Sequence, residues 1–274
     1  REVQVLHDDF FGGGETKVVE TKTTPVAKQF LAFSDSRQNA AFFATYLGTT
    51  YQDALIKRSL FEVTNEHKAQ FAEGISLPQF VTLLANKFKS INAFPYESED
   101  RLNIIAWTRI LREISNYKAK NSLMTNGILK YELDIDVPEL QQFGLSKEES
   151  TDMVRILCFS MMREAGVFLN NIDSFTKEDR QKFTSAGFQK GFRLNSAGKN
   201  YIIGWAPEQN RTNRRLKYLT KITKDESVAR KLLEAVWSLM LRSRWILESK
   251  IKTDQVWFLN PDIIKVKGVS KLYI

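Results

Sequence analysis

Two hydroxyls, a carboxylate and a guanidinium follow one another in the run Ser34-Asp35-Ser36-Arg37, directly after a short apolar stretch. Residues 38–47 then place apolar side chains at helical intervals, so the pattern predicts a strand, a capped turn and a helix. The first backbone N–H groups of such a helix lack partners and attract an anion. Ser34 and Ser36 can cap these groups, and Arg37 can donate to a phosphate. Ordinary helix capping is the alternative interpretation.

The second group of candidate residues is basic and lies near the C-terminus. Residues 1–200 hold 25 Lys and Arg against 25 Asp and Glu, whereas residues 201–274 hold 15 against 7, so the whole net charge of +8 falls there. Such an imbalance indicates a polyanionic partner, and a solvated charged surface is the alternative. The candidate nucleic-acid contacts in this part are Arg211, Arg214, Arg215, Lys217, Lys221, Arg242, Arg244, Lys250 and Lys252.

Nucleotide chemistry is not predicted for this chain. A phosphate-binding loop needs Gly-x4-Gly-Lys-Ser/Thr, and residues 12–18 lack both the second glycine before Lys17 and the hydroxyl after it. No Asp-Glu-Ala-Asp box or related magnesium motif occurs. With His7 and His67 as the only histidines, neither a zinc site nor a Ser-His triad is predicted. We therefore expect no catalytic, cofactor-binding or metal-binding residue here.

Two further features have ordinary structural interpretations. The acidic run Glu132, Asp134 and Asp136 alternates as on a strand face and could hold a divalent cation, although a solvated strand face or loop is the preferred interpretation. Cys158 lies in an apolar run and is interpreted as a buried small side chain rather than a reactive thiol.

The elements that must position these residues follow from length and apolar spacing. A chain of 274 residues predicts two domains, or one domain with a large attachment. No run approaches the roughly 18 apolar residues of a membrane helix, and residues 1–11 lack a signal pattern, so we predict a cytoplasmic protein without membrane contact. The middle of the chain is predicted to be helical over residues 53–63, 77–88, 99–117 and 147–169.

The C-terminal part changes character after Gly187. Short strands are predicted between residues 188 and 205, and amphipathic helices over 214–222 and 226–241. Extended runs at 245–251 and 255–259 follow, separated by three residues. Two helices followed by a hairpin are typical of a winged helix, a fold that usually binds nucleic acid. In that fold Trp257 and Phe258 could offer a stacking face, although alternation sends one of them into the core.

The predicted fold class is accordingly mainly α within α+β. Residues 1–50 are interpreted as a loop or hairpin plus a first βα unit, residues 51–186 as a helical domain, and residues 187–274 as a basic, winged-helix-like domain.

The residues FLAFSDSRQNAAFFATYL at 30–47 resemble the start of the second RecA-like domain of large bacterial superfamily 2 DEAD/DEAH-box helicases, including those of DISARM-type defence systems. The family pattern F-[ST]-D-[SN]-R-Q-[DN]-A is matched throughout, with Asn39 where Asp is more usual. Weaker similarities lie around Trp205, Pro207 and the following basic helix, and over residues 256–274. The strong match covers about 18 residues and the weak ones about 40 more.

The resemblance implies that the chain is an internal piece of an ATP-dependent helicase, with ATP and Mg²⁺ bound by the parent protein and no cofactor in this piece. It gives Ser34, Ser36 and Arg37 a phosphate-contacting role. The implied partners are nucleic acid, with DNA favoured over RNA, and the remaining helicase chain. Two alternatives stay open: a protein-interaction module that docks a partner subunit, and an independent winged-helix DNA-binding regulator.

Overall fold

A computed structural model describes residues 37–116, 122–170, 172–184, 188–195, 198–251 and 253–269. The chain divides into two compact units, Arg1–Thr50 and Tyr51–Ile274. Helix α1, Arg37–Glu66, runs without a break through both predicted helical stretches, 38–47 and 53–63. The strand predicted before it lies outside the described residues.

Five further helices, two of them short, make up most of the middle of the chain. All but the first of them start at a side-chain cap. The predicted beginnings at Leu77 and Lys147 are confirmed, because Ser76 and Ser146 both form capping boxes. The helices are α2 at Lys68–Glu73, α3 at Leu77–Ser90, α4 at Glu99–Ser115, α5 at Lys147–Met162 and α6 at Lys177–Gln181.

Helix α5 ends seven residues before the predicted position. Ala165 takes a left-handed backbone conformation with φ 51°, and the N–H groups of Ala165 and Gly166 donate back to the carbonyls of Met162 and Met161. This is a Schellman arrangement, which terminates a helix. A side chain at Gly166 would meet the Phe192 ring, so the turn brings α5 close to the C-terminal part of the chain.

The first sheet joins distant parts of the sequence. It contains β1 at Ile75–Ser76, β2 at Leu129–Leu133 and β7 at Ile264–Gly268, in the order β1-β7-β2 and with antiparallel pairing. Leu129, Tyr131 and Leu133 alternate inward along β2 and are buried. The sequence patterns predicted neither β1 nor β7.

The second sheet follows the predicted order of helix, helix, strand, turn and strand. Helices α7 at Arg214–Thr223 and α8 at Glu226–Arg242 precede a hairpin of β5 at Ile246–Ile251 and β6 at Asp254–Leu259. Strands β3 at Gly191–Arg193 and β4 at Ile202–Gly204 complete a sheet in the order β4-β3-β6-β5. The described chain is thus mixed α/β.

A single large hydrophobic cluster extends from Ile56 to Val266, with elements on both sides of residue 187 in it. Trp205, Trp237 and Trp257 form a chain of ring contacts at 5.6 and 5.8 Å within it. Phe258 points the other way into a small second cluster. Phe258 is buried, so the prediction that alternation sends one of the two rings into the core is confirmed, while Trp257 is half-buried with its ring against Trp237.

Candidate nucleic-acid interface

The predicted phosphate turn lies almost wholly outside the described residues. Ser34 and Ser36 fall in that undescribed part, and Arg37 is the first residue of α1, with a side chain that the structure does not describe. Their predicted role therefore stays a prediction.

Helix α7 begins at a defined cap. The side chain of Asn213 accepts a hydrogen bond from the Leu216 N–H at 2.8 Å and donates to the Trp205 carbonyl at 3.0 Å. The cap fixes α7 against the loop that follows β4. Leu216 and Leu219 then face the core. This orientation decides which of the basic residues of α7 reach solvent.

Arg214, Lys217 and Lys221 share one exposed face of α7, since residues three and four apart are neighbours on a helix. Among the described residues none of their side chains has a hydrogen-bond or ion-pair partner. Lys224 extends this face at the left-handed residue that ends the helix. Unpaired cations in a row are available to a polyanion, and we name Arg214, Lys217 and Lys221 the α7 cations.

Arg215 occupies a different position from its neighbour Arg214. Only 9% of the residue is exposed, and its Nε donates to the Ser160 hydroxyl at 2.8 Å. The guanidinium also lies over the rings of Trp205 and Phe192, at 4.9 and 5.2 Å from their centroids. Burial lowers the pKa of Arg215 to about 10. A side chain held in this way does not fit the predicted contact with a phosphate backbone. We therefore no longer count Arg215 among the candidate nucleic-acid contacts.

Arg211 is exposed and contacts Glu208 at 3.6 Å, so its charge is partly compensated. Arg230 of α8 holds the loop around Arg211, because its guanidinium donates to the carbonyls of Pro207 and Arg211 at 2.9 Å each. Arg230 also pairs with Glu226. Arg230 therefore acts as a structural side chain, and Arg211 stays an exposed candidate on a fixed loop.

A second basic group belongs to the hairpin. Arg242 ends α8 and Arg244 lies in the turn before β5, with φ 55° and a carbonyl that accepts from the Asn260 side chain at 3.2 Å. Lys250 is exposed near the other end of β5. At about 3.3 Å per residue along a strand, Lys250 lies roughly 20 Å from Arg244. Lys252 at the hairpin turn is outside the described residues.

A small polar cluster joins the first residue of β6 to the residues just before β4. Asp254 accepts hydrogen bonds from Lys199 and from the Tyr201 hydroxyl, the latter at 2.8 Å. The Lys199 contact comes first among the interactions that lower the pKa of Asp254. Lys199 is thus engaged with an acid, which distinguishes it from the α7 cations.

The acidic residues of β2 and of the loop after it are likewise paired with lysines. Glu132 contacts Lys267 at 2.8 Å, and Asp136 contacts Lys147 at 3.0 Å.

Over the described ranges, no three His, Cys, Asp or Glu side chains come together as metal ligands. In the same ranges every helix is too short or too polar to cross a bilayer.

Sequence reasoning missed which basic residues the fold withdraws from solvent. Arg215 lies four residues before Leu219, a spacing that places both on one face of α7 and could have identified it as buried. Comparison with family models, with curated proteins and with solved structures gave no match for this chain.

Proposed function

We propose that this chain is a nucleic-acid-binding accessory part of an ATP-dependent DNA helicase or translocase, with no catalytic role of its own. The observation that carries the proposal is the row of three exposed, unpaired cations on the first helix of a two-helix and hairpin unit. The α7 cations would contact phosphates, which positions a duplex or strand without reading its sequence.

The topology of the second sheet supports a winged-helix assignment. A winged helix places a short strand before its second helix and pairs that strand with the hairpin that follows the third helix. Here β3 precedes α7 and α8, and Phe192 of β3 pairs with Trp257 of β6. On this assignment α5, α7 and α8 are the three helices and β5–β6 is the wing.

The helicase part of the proposal depends on the resemblance of residues 30–47 and on the helix that begins at Arg37. It has its own test: the gene that encodes this chain should also encode a Walker A motif and a DEAD/DEAH box. A gene without either would contradict the helicase part and leave DNA binding standing as the function of a regulator.

A salt series of DNA binding tests the interface directly. Anisotropy of labelled single- and double-stranded DNA is measured for the wild type and for the triple variant Arg214→Glu, Lys217→Glu, Lys221→Glu. If each cation neutralises one phosphate, the variant loses about three units of the slope of log K against log salt. We expect the variant to bind DNA at least about tenfold more weakly at low salt, because its contacts with phosphates are lost.

The matched control reverses three exposed lysines elsewhere: Lys57→Glu, Lys68→Glu, Lys182→Glu. Both variants change the net charge equally, so a difference between them isolates position from total charge. Equal weakening by both, or wild-type affinity that does not depend on salt, would sink the proposed interface.

A further inference from the structure

A cavity of about 430 Å³ opens between α5 and α7, and it is separate from the α7 cations except at Arg214. Its walls come from four elements and include Ile114, Tyr131, Leu157, Phe159, Arg215 and Tyr218. Volumes of this order are typical of small-molecule sites, which combine apolar walls with a few placed polar groups. The polar groups that line this cavity therefore indicate which class of ligand it could bind.

The first polar group is Arg215, described above as nine-tenths buried. Its Nε donates to Ser160 and its Nη1 lies 3.4 Å from the Gly204 carbonyl, which leaves Nη2 without a hydrogen bond to any described residue. Every fully buried side-chain nitrogen of the described residues has a hydrogen-bond partner. Since Nη2 has none, it is not fully buried, and it faces the cavity that Arg215 lines.

The second polar group is the Tyr131 hydroxyl. Tyr131 is 5% exposed, and within the described ranges its hydroxyl has no hydrogen-bond partner. By the same reasoning as for Arg215, this hydroxyl reaches the cavity rather than a closed interior. A hydroxyl that faces the cavity can donate a hydrogen bond to a ligand bound there.

The charge of Arg215 is also uncompensated. Within the described residues it forms no ion pair, and the acid that acts on it electrostatically, Glu164, is engaged with Lys190 at 3.2 Å. Arg163 and Arg214 also line the cavity, but both are exposed to solvent, so Arg215 is the buried cation of the site. The cavity is therefore positive at one side, while Ile114, Leu157 and Phe159 make the rest of its wall apolar.

We propose that this cavity binds a small organic monoanion, a carboxylate with an apolar body, whose head accepts from Arg215 and Tyr131. A guanidinium pairs with a carboxylate by charge-assisted hydrogen bonds, which are the strong ones. The apolar body would cover Leu157, Phe159 and the aliphatic side chains at the mouth. A single negative charge balances the single buried cation, whereas a larger charge would bring an unpaired anion into an apolar site. This site shares only Arg214 with the proposed DNA contacts, and its proposed head contacts, Arg215 and Tyr131, are not among them.

Calorimetric titration of the full chain with decanoate tests the ligand class. Decanol supplies the same apolar body without the charge, and acetate supplies the charge without the body. We expect decanoate to bind at least about tenfold more tightly than either. Equal binding of decanol would refute the role of Arg215, equal binding of acetate would refute the apolar walls, and no binding of decanoate would refute the site.

Two variants place the binding in this cavity without disturbing the core. Ile156 lines the mouth and is 48% exposed, so Ile156→Glu sets a negative charge there, and we expect it to weaken decanoate about tenfold or more. Ile91→Glu is the matched control, since Ile91 is 39% exposed and lies outside the cavity. Tyr131→Phe should weaken decanoate severalfold and leave decanol unchanged. Equal effects of the two Glu variants would overturn the assignment.

Discussion

Arg101 on α4 and Asp179 on α6, 78 residues apart in the chain, are joined by two contacts between guanidinium and carboxylate, one of them at 2.9 Å. Asp179 also closes the capping box of α6, where it accepts from the Thr176 N–H and hydroxyl at 3.0 and 2.8 Å. One carboxylate thus starts α6 and fixes it against α4.

This pair predicts a pH-dependent stability. Burial alone would raise the pKa of Asp179, but the hydrogen bonds from Arg101 and Thr176 outweigh it and hold the pKa below its usual range. A lowered folded-state pKa means that the stabilisation is present above the unfolded value of about 3.9 and is lost as the pH falls through the folded one. Asp179→Asn should therefore cost about 1–3 kcal/mol at neutral pH and progressively less below about pH 4.

Urea unfolding at a series of pH values measures this difference. Asp173→Asn is the control, because Asp173 is fully exposed and its contact with Arg180 is 3.9 Å long. A cost for Asp179→Asn that stays constant down to acid pH would contradict the role of the ionised carboxylate.

Gly191 predicts a second stability effect. A Cβ built there would lie 2.6 Å from the Cβ of Val256, so β3 can approach β6 this closely only without a side chain. Gly191→Ala should destabilise the fold by about 1–3 kcal/mol through overpacking. Thermal unfolding checks it against Gly268→Ala, where the nearest atom is 3.6 Å away. Equal melting temperatures for the two variants would contradict the close approach.

Helix starts give a smaller, local prediction. The Ser146 hydroxyl accepts from the Glu149 N–H, and the Glu149 carboxylate accepts from the Ser146 N–H at 2.9 Å. Ser146→Ala should cost about 1 kcal/mol. Ser90→Ala at the end of α3, where the hydroxyl only donates to the Lys87 carbonyl, is the control in denaturant unfolding. A change no larger than the control's would show that the box adds nothing.

Cys158 is predicted to be chemically silent in the folded chain. It is fully buried against Met240, and burial raises its pKa to about 12, only partly offset by the charge of Arg215. A thiol reagent at mildly alkaline pH should label it at the rate of unfolding, with a large acceleration in denaturant. Rapid labelling of the native chain would contradict this placement.

Local signals account for the elements that could be predicted. Ser76 and Ser146 announce helices by capping, and the order of α7, α8, β5 and β6 follows from apolar spacing. The first sheet could not be predicted in the same way, because β7 finds its partners about 135 and 190 residues earlier, and no local pattern specifies such pairing.

The candidate interface likewise contains features that the sequence could predict and features that it could not. Arg214 and Arg215 are adjacent and chemically identical, yet one is exposed and the other lies against Trp205 and Phe192. Those rings come from loops and strands that only the tertiary fold brings to α7. Composition could thus locate the positive charge in the last quarter of the chain, but it could not predict which of the basic side chains would be buried.

The central position of β7 in the first sheet has a consequence for biosynthesis. Ile75 and Tyr131 both pair within this sheet, Ile75 with Val266 and Tyr131 with the same residue from the other side. Residues up to Gly268 must therefore have left the ribosome before β1 and β2 can gain their shared neighbour. Until then the apolar side chains of β1 and β2 lack this strand as a neighbour, so the first sheet is completed only near the end of translation of this stretch.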